Sequence, residues 1–306
     1  MLRSRPSTRT AVSALLGGAL LIALAPIFVR LSEVGLTATA FWRLALAAPI
    51  LLAWDAVRRA QRGEGPCPTA ADMRLLVLAG FCFAGDLASW HVSIALTSVA
   101  NATLLANASP IFVAIAAWLW LRERPSGRFI GGLALASVGG VLLGIESAAA
   151  GHAHVVGDAF GLLTAVFYAG YMIAVKVLRG RCSTSTVMAG SSLVGAAMLL
   201  PLALLLGEAV LPTTLGGWAT LIALAVLSQV FGQGLIAWSL GTLTASFGSL
   251  GLLTQTAGAA ALAWVLFGEA FTILQSFGIA LVVAGIIVAR DRDGESHPLA
   301  RRDGRV

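Results

Sequence analysis

Charge is the scarcest commodity in this chain of 306 residues. Only 11% of it is Asp, Glu, Lys or Arg, against roughly 25% in soluble domains. A water-soluble fold of this length could not hide the 58% that is hydrophobic. The mean hydropathy of +0.90 therefore makes lipid part of the solvent. Cysteine is nearly missing as well. Cys67, Cys82 and Cys182 form no CxxC pair and no even set, which argues against a disulfide framework or a thiolate metal site. No HExxH zinc pair and no GxxxxGK[ST] phosphate loop occurs, so neither a zinc hydrolase nor an ATP-driven pump is indicated. No cofactor is implied.

What is present is a series of apolar runs, most of them long enough to cross a hydrocarbon core of roughly 30 Å. Ten are legible: Ala11–Val29, Thr37–Trp54, Leu75–Ala95, Ser98–Leu121, Phe129–Gly144, Phe160–Leu178, Thr186–Leu206, Trp218–Leu240, Thr242–Phe267 and Phe271–Val288. The fifth is short for a full span. Backbone groups in lipid must be satisfied internally, so the runs predict helices. Ala23-Leu24-Ala25 behind a basic N-terminus has the pattern of a signal-peptide cleavage site, but nine further runs follow it.

A pI near 10.2 would suggest nucleic acid in a soluble protein. Here the placement of the charges explains it better. With the N-terminus inside, the basic residues fall in the inside segments: Arg3, Arg5 and Arg9, then Arg58, Arg59, Arg62 and Arg74, then Arg122, Arg124 and Arg128. Lys176, Arg179 and Arg181 follow, and then Arg290, Arg292, Arg301, Arg302 and Arg305. Only Arg43, within a span, and Arg30, at an outside edge, stand apart. This is the positive-inside bias. It predicts cytoplasmic N- and C-termini, a bilayer as partner and no nucleic acid.

The chain also repeats itself. A displacement of 146 residues puts Trp118 on Trp264, Glu123 on Glu269, Gly132 on Gly278 and Gly139 on Gly285. In the third span of each half a displacement of 148 puts Phe83, Leu87 and Trp90 on Phe231, Leu235 and Trp238. Each half holds five spans. Five is odd, so the second half enters the membrane in the opposite sense. The expected fold is an all-α membrane protein of ten transmembrane helices in two inverted five-helix repeats, residues 1–148 and 157–290, with a cytoplasmic tail at 291–306. Inverted repeats place a substrate site near the midplane, and rocking of one half on the other gives alternating access.

The stretch IALTSVANATLLANASPIFVAIAAWLWLRERPSGRFIGGLALASVGGVLL, with its Thr-Ser pair, Pro110, Glu123 and following glycines, resembles the EamA family of the drug/metabolite transporter superfamily. Gly268-Glu269 closes a weaker second copy, and Phe41-Trp42-Arg43 is similar to the family's second-helix signature. The resemblance implies a ten-helix secondary carrier of a bacterial-type plasma membrane, exporting amino acids or related small metabolites. A passive facilitator or an importer stays open as the alternative, and so does a second copy of the chain as partner.

Polar residues inside apolar runs are the candidates for chemistry. Asp86 is the one acidic residue well inside a run. A charge at that depth costs at least about 2.5–3.5 kcal/mol, so it should face the bundle or a wet cavity. It is a candidate proton carrier, on a stripe with Trp90, Ser93 and Thr97. Gly85-Asp86 also has the form of an intramembrane aspartyl protease motif, but that chemistry needs two carboxylates in one site. An enzyme is thereby disfavoured. Thr103 and Asn107 share a face of the fourth run, Tyr168 and Tyr171 a face of the sixth, Gln229 and Gln233 a face of the eighth. Trp238 and Gln255 complete the expected pathway, although the same residues suit helix packing. His91 is expected at the wet outer interface, and Lys176 and Arg30 as interfacial anchors. Glu123 and Glu269 each precede a matched Ser126 or Thr272 and read as structural carboxylates at helix N-termini.

Overall fold

The computed structural model describes residues 7–62, 68–96, 105–106, 108–123, 125–148, 155–255, 258 and 273–289. Among them every regular element is helical. Among the described residues six spans are long and apolar enough to cross a membrane: Thr8–Arg30, Leu36–Gln61, Ala70–Ser93, Val155–Arg179, Thr184–Leu205 and Leu215–Ser239. Shorter apolar helices cover Ser109–Leu121, Gly127–Gly139 and Ser276–Ala289. Large apolar side chains such as Trp120 and Leu205 point outward, 70% and 85% exposed. That surface suits lipid.

The first span is α1 (Thr8–Ile22) and α2 (Ala25–Arg30), bent at Ala23 and Leu24. Pro26 stands in the first turn of α2; it cannot donate to the ladder, which accounts for the bend. α3 (Leu36–Arg62) and α4 (Ala70–Leu96) are both longer than their apolar runs. Past Trp54 the helix continues because Asp55 meets Arg58 at 3.1 Å and Arg59 at 2.7 Å, the favourable helical spacing. α4 begins early because Thr69 and Asp72 cap one another's backbone N–H, at 3.2 and 3.0 Å. Asp55, Asp72 and Asp158 therefore also lie on spanning helices, each near an end, beside the deeper Asp86.

α5 (Ser109–Ala116) runs into a wide π-helical turn, Ala117–Leu121, and α6 is Gly127–Ala148. Arg122 closes the wide turn in the left-handed region, φ 55°, and so redirects the chain at Glu123. α7 (Val155–Arg179) and α8 (Thr184–Leu205) follow. The next span is composite: α9 (Leu215–Ala223), a π-helical stretch Leu224–Gln233, and α10 (Gly234–Ser239). α11 (Ala245–Gly251) and α12 (Ile273–Ala289) end the described chain.

Most of the packing joins early helices to late ones. α3 lies on α8, α4 on α7 and α8, α6 on α12, and α1 on α10 and the π-helical stretch. Small residues let these backbones approach. At the crossing of α6 and α12, a Cβ on Gly132 would stand 2.5 Å from the carbonyl oxygen of Gly285, and one on Gly285 2.6 Å from that of Gly132. Only glycine fits there.

Candidate functional site

A group of buried polar side chains lies where α3, α4, α7 and the π-helical stretch meet. Arg43 of α3 is 6% exposed and Asp86 of α4 is 8% exposed. The Nε of Arg43 donates to Oε1 of Gln229 at 3.1 Å, and Nε2 of Gln229 donates to Oγ of Ser192 at 3.3 Å. The π-helical stretch carries both Gln229 and Gln233 within one wide turn, a local geometry that recurs at functional sites. The guanidinium carbon of Arg43 stands 5.7 Å from the centre of the Phe83 ring, a cation–π contact. Phe83 stacks on Tyr171 at 4.5 Å and 17°. Tyr171 lies 5.9 Å from Tyr168 and donates its hydroxyl to Sδ of Met188 at 3.7 Å.

Asp86 follows Phe83 by one helical turn. It lies within Coulombic range of Arg43, Tyr168 and Tyr171, yet no ion pair within 4.0 Å joins it to Arg43. Among the described residues no hydrogen bond reaches its carboxylate. Gln233 is buried beside Tyr168, and its Oε1 has no hydrogen-bond partner among the described residues. The structure thus brings together Asp86, Tyr168, Tyr171 and Gln233 from the sequence-derived set, and adds Arg43 and Phe83. Arg43 was legible as an isolated cation inside an apolar run. Its partner Gln229, 186 positions away, was not.

Other expected residues lie apart from this group. Trp90 is half-buried with its ring 5.3 Å from that of His91. His91 is 3% exposed, which corrects the expectation of a water-exposed interfacial histidine: α4 carries it on the face that packs inward. Trp238 and Gln255 are half-buried on α10 and just beyond α11, with no ring contact or hydrogen bond to the group among the described residues. Thr103, Asn107 and Glu269 lie outside the described residues. Lys176, near the end of α7, has partners the sequence did not reveal. Its ammonium donates to the carbonyl oxygens of Leu240, at 3.0 Å, and Leu243, satisfying the end of α10. Arg179 does the same for Ala237 at 3.0 Å.

A different arrangement ties the chain together at its helix ends. The Glu123 carboxylate bonds not the helix that follows it but the start of α11, accepting from the N–H groups of Ala245 and Ser246 at 3.3 and 3.5 Å and from the Ser246 hydroxyl at 3.2 Å. Ser126 caps α6 itself, accepting from the Phe129 N–H at 3.1 Å. Glu208, after α8, accepts from the Thr37 and Ala38 N–H groups at the start of α3, at 3.2 and 2.8 Å. Asp55, near the end of α3, accepts from Ser183, Ser185 and Thr186 at the start of α8, at 3.1, 2.6 and 2.9 Å. Glu33 accepts from the N–H groups of Thr213 and Thr214 ahead of α9, at 3.0 and 3.1 Å, and from both hydroxyls. The Thr214 hydroxyl, more than any other group, holds the Glu33 carboxyl below the usual carboxylate range. Each of these acids uses the partial positive charge of a helix start to join two distant segments.

The sequence model of the EamA-like transporter family matches residues 9–145 and again 155–290. The chain belongs to the EamA-like transporter family. This EamA-like protein is 30% identical over 236 residues to the pseudopaline exporter CntI of Pseudomonas aeruginosa, covering 76% of this chain and 81% of that protein. It is 28% identical over 240 residues to a probable terminal-alkyne amino-acid exporter of Streptantibioticus cattleyicolor, covering 74% and 75%. A solved crystal structure shares its fold with TM-score 0.74 at 22% identity, over 94% of this chain and 99% of that one. The protein is a multi-pass membrane transporter and not an enzyme.

Proposed function

We propose that this EamA-like protein exports amino acids or related small metabolites by alternating access. Its substrate passes the polar group at Asp86, Tyr168, Tyr171 and Gln233, and the pathway continues through Trp90, Thr103, Asn107, Trp238 and Gln255. The observation that carries this reading is a buried Arg, a buried Asp and two buried amides inside a bundle whose outer surface is apolar. Structural need alone does not explain such a concentration, because buried charges cost several kcal/mol each unless matched. Two relatives named as exporters supply the direction.

The architecture belongs to the same proposal. Ten spans form two inverted repeats, residues 1–148 and 157–290, with both termini and the tail 291–306 cytoplasmic in a bacterial-type plasma membrane. On that topology Glu33 and Glu208 bind helix starts at the outer face, while Asp55 and Glu123 do so at the inner face. Each face is thereby held by carboxylates that join one repeat to the other. Glu269, matched to Glu123 by the internal repeat, takes the corresponding structural role. Asp86 carries the coupling proton. The test is a metabolite profile of cells and medium with and without the protein. Export predicts that one solute class rises in the medium and falls in the cells; unchanged profiles on both sides sink the reading.

A further inference from the structure

Where α3 ends and α4 and α8 begin, arginines outnumber the acids set among them. Arg58 and Arg59 share Asp55, and Arg181, at the turn between α7 and α8, reaches Asp72 at 3.4 Å. Arg59, Arg179, Arg181 and Asp72 all lie within Coulombic range of the buried Cys182, so these groups form one cluster. Arg58, Arg59, Arg179 and Arg181 against Asp55 and Asp72 leave two positive charges over. Part of that charge faces outward. The side chain of Arg181 is 62% exposed, and its contact with Asp72 is long beside the about 2.7–2.9 Å of a charge-assisted bond. Arg58 donates through Nε to Ser185 at 3.2 Å and through one terminal nitrogen to Asp55. Its other terminal nitrogen has no partner among the described residues.

Toward the middle of α3 the surface turns apolar at once. Trp54 stands one helical turn before Arg58 on the same side of the helix. It is 44% exposed, and Ile50 and Val57 are exposed beside it. Indoles favour the headgroup level of a bilayer, and guanidinium forks match phosphate oxygens. A soluble anion would use only the arginines and leave the apolar strip unanswered. An uncharged lipid would use only the strip. We propose that this corner binds an anionic phospholipid, with its phosphate on Arg58 and Arg181 and an acyl chain along Ile50, Trp54 and Val57. Cardiolipin, with two phosphates, matches the excess of two charges and binds more tightly than phosphatidylglycerol. Because Arg58 belongs to α3 and Arg181 leads into α8, the bound lipid braces the junction of those helices. The proposal is independent of the export reading.

The test titrates purified full-length protein in detergent with phosphatidylcholine, phosphatidylglycerol and cardiolipin whose acyl chains carry bromine, which quenches nearby indoles. Fluorescence and thermal unfolding are both followed. Phosphatidylglycerol should quench and raise the melting midpoint at about tenfold or more lower mole fraction than phosphatidylcholine, and cardiolipin at a lower fraction still. Trp54→Phe should remove the part of the quenching that prefers the anionic lipids. Arg181→Gln should raise the phosphatidylglycerol needed by about fivefold, whereas Arg9→Gln, which removes the same charge from an exposed position on α1, should leave it unchanged. The lipid series on wild-type protein needs no variant, so a misfolded Arg181→Gln does not blunt the test. Equal effects of phosphatidylcholine and phosphatidylglycerol overturn the proposal, as does anionic-lipid quenching that persists in full in Trp54→Phe. Equal losses in Arg9→Gln and Arg181→Gln overturn it too, assigning the preference to charge spread over the whole surface. Soluble glycerol phosphate that stabilises the protein as well as phosphatidylglycerol does would reveal a free-phosphate site and overturn the lipid assignment.

Discussion

Replacing Asp55 by alanine should loosen the junction between α3 and α8 more than any other single surface-side change. Oδ1 accepts from Ser185 at 2.6 Å, Thr186 at 2.9 Å, Ser183 at 3.1 Å and Arg58 at 3.1 Å, and Oδ2 accepts from Arg59 at 2.7 Å. Hydrogen bonds to a charged group contribute about 1.5–3 kcal/mol each when taken singly, but five bonds to one carboxylate are not additive. The two arginines rehydrate once the acid is gone, since their side chains are 14% and 30% exposed, so their share is discounted for screening. The hydroxyls of Ser183, Ser185 and Thr186 lose a common acceptor in a buried corner. The net cost is about 3 kcal/mol, which lowers an apparent melting midpoint by roughly 5 °C. Asp55→Asn keeps the shape and one acceptor and should lose about half as much. Thermal unfolding of detergent-solubilised protein, followed by loss of monodisperse material, measures both. A melting midpoint for Asp55→Ala within about 1 °C of wild type would refute the reasoning.

Three further outcomes follow from the same physics. Gly132→Ala should cost about 1–3 kcal/mol through overpacking, because the new methyl meets the Gly285 backbone at 2.5 Å, whereas Gly131→Ala, with nothing within 4 Å, should leave the melting midpoint unchanged or raised. Asp86→Asn should abolish substrate accumulation driven by a pH gradient in proteoliposomes; accumulation at the wild-type level would make Asp86 a structural contact. Reporter fusions after Arg62, Gly151 and Arg292 should read inside, outside and inside, and a reversal of that order would break the inverted-repeat proposal with it.

The helices were largely legible because lipid leaves the backbone one local solution, and apolar runs mark where lipid is. Their ends were less so. α3 runs on past Trp54 because Asp55 pairs with arginines that hydropathy alone counts against a helix. The bend at Ala23 and Leu24 has a readable cause in Pro26, yet the run Ala11–Val29 looks continuous when only its apolarity is weighed. In the candidate site, Asp86, Tyr168, Tyr171 and Gln233 stood out as polar residues in apolar runs. Arg43 stood out equally but had no partner to give it meaning, because Gln229 reaches it only after α3 packs on the π-helical stretch. Glu123 shows the same limit. Its position before Ser126 points to the next helix, while the left-handed turn at Arg122 sends it to α11, 122 residues on. Local sequence fixes what a carboxylate wants, and tertiary packing decides which helix supplies it.

The claim that this EamA-like protein is an alternating-access carrier is tested most directly by counterflow. Proteoliposomes preloaded with a concentrated unlabelled L-amino-acid mixture are diluted into a trace of the labelled mixture. The account predicts that label enters above its external level for a time and that the initial rate saturates as the external concentration rises. Label that only equilibrates, at a rate rising linearly without saturation, would contradict it and assign these helices to a passive channel.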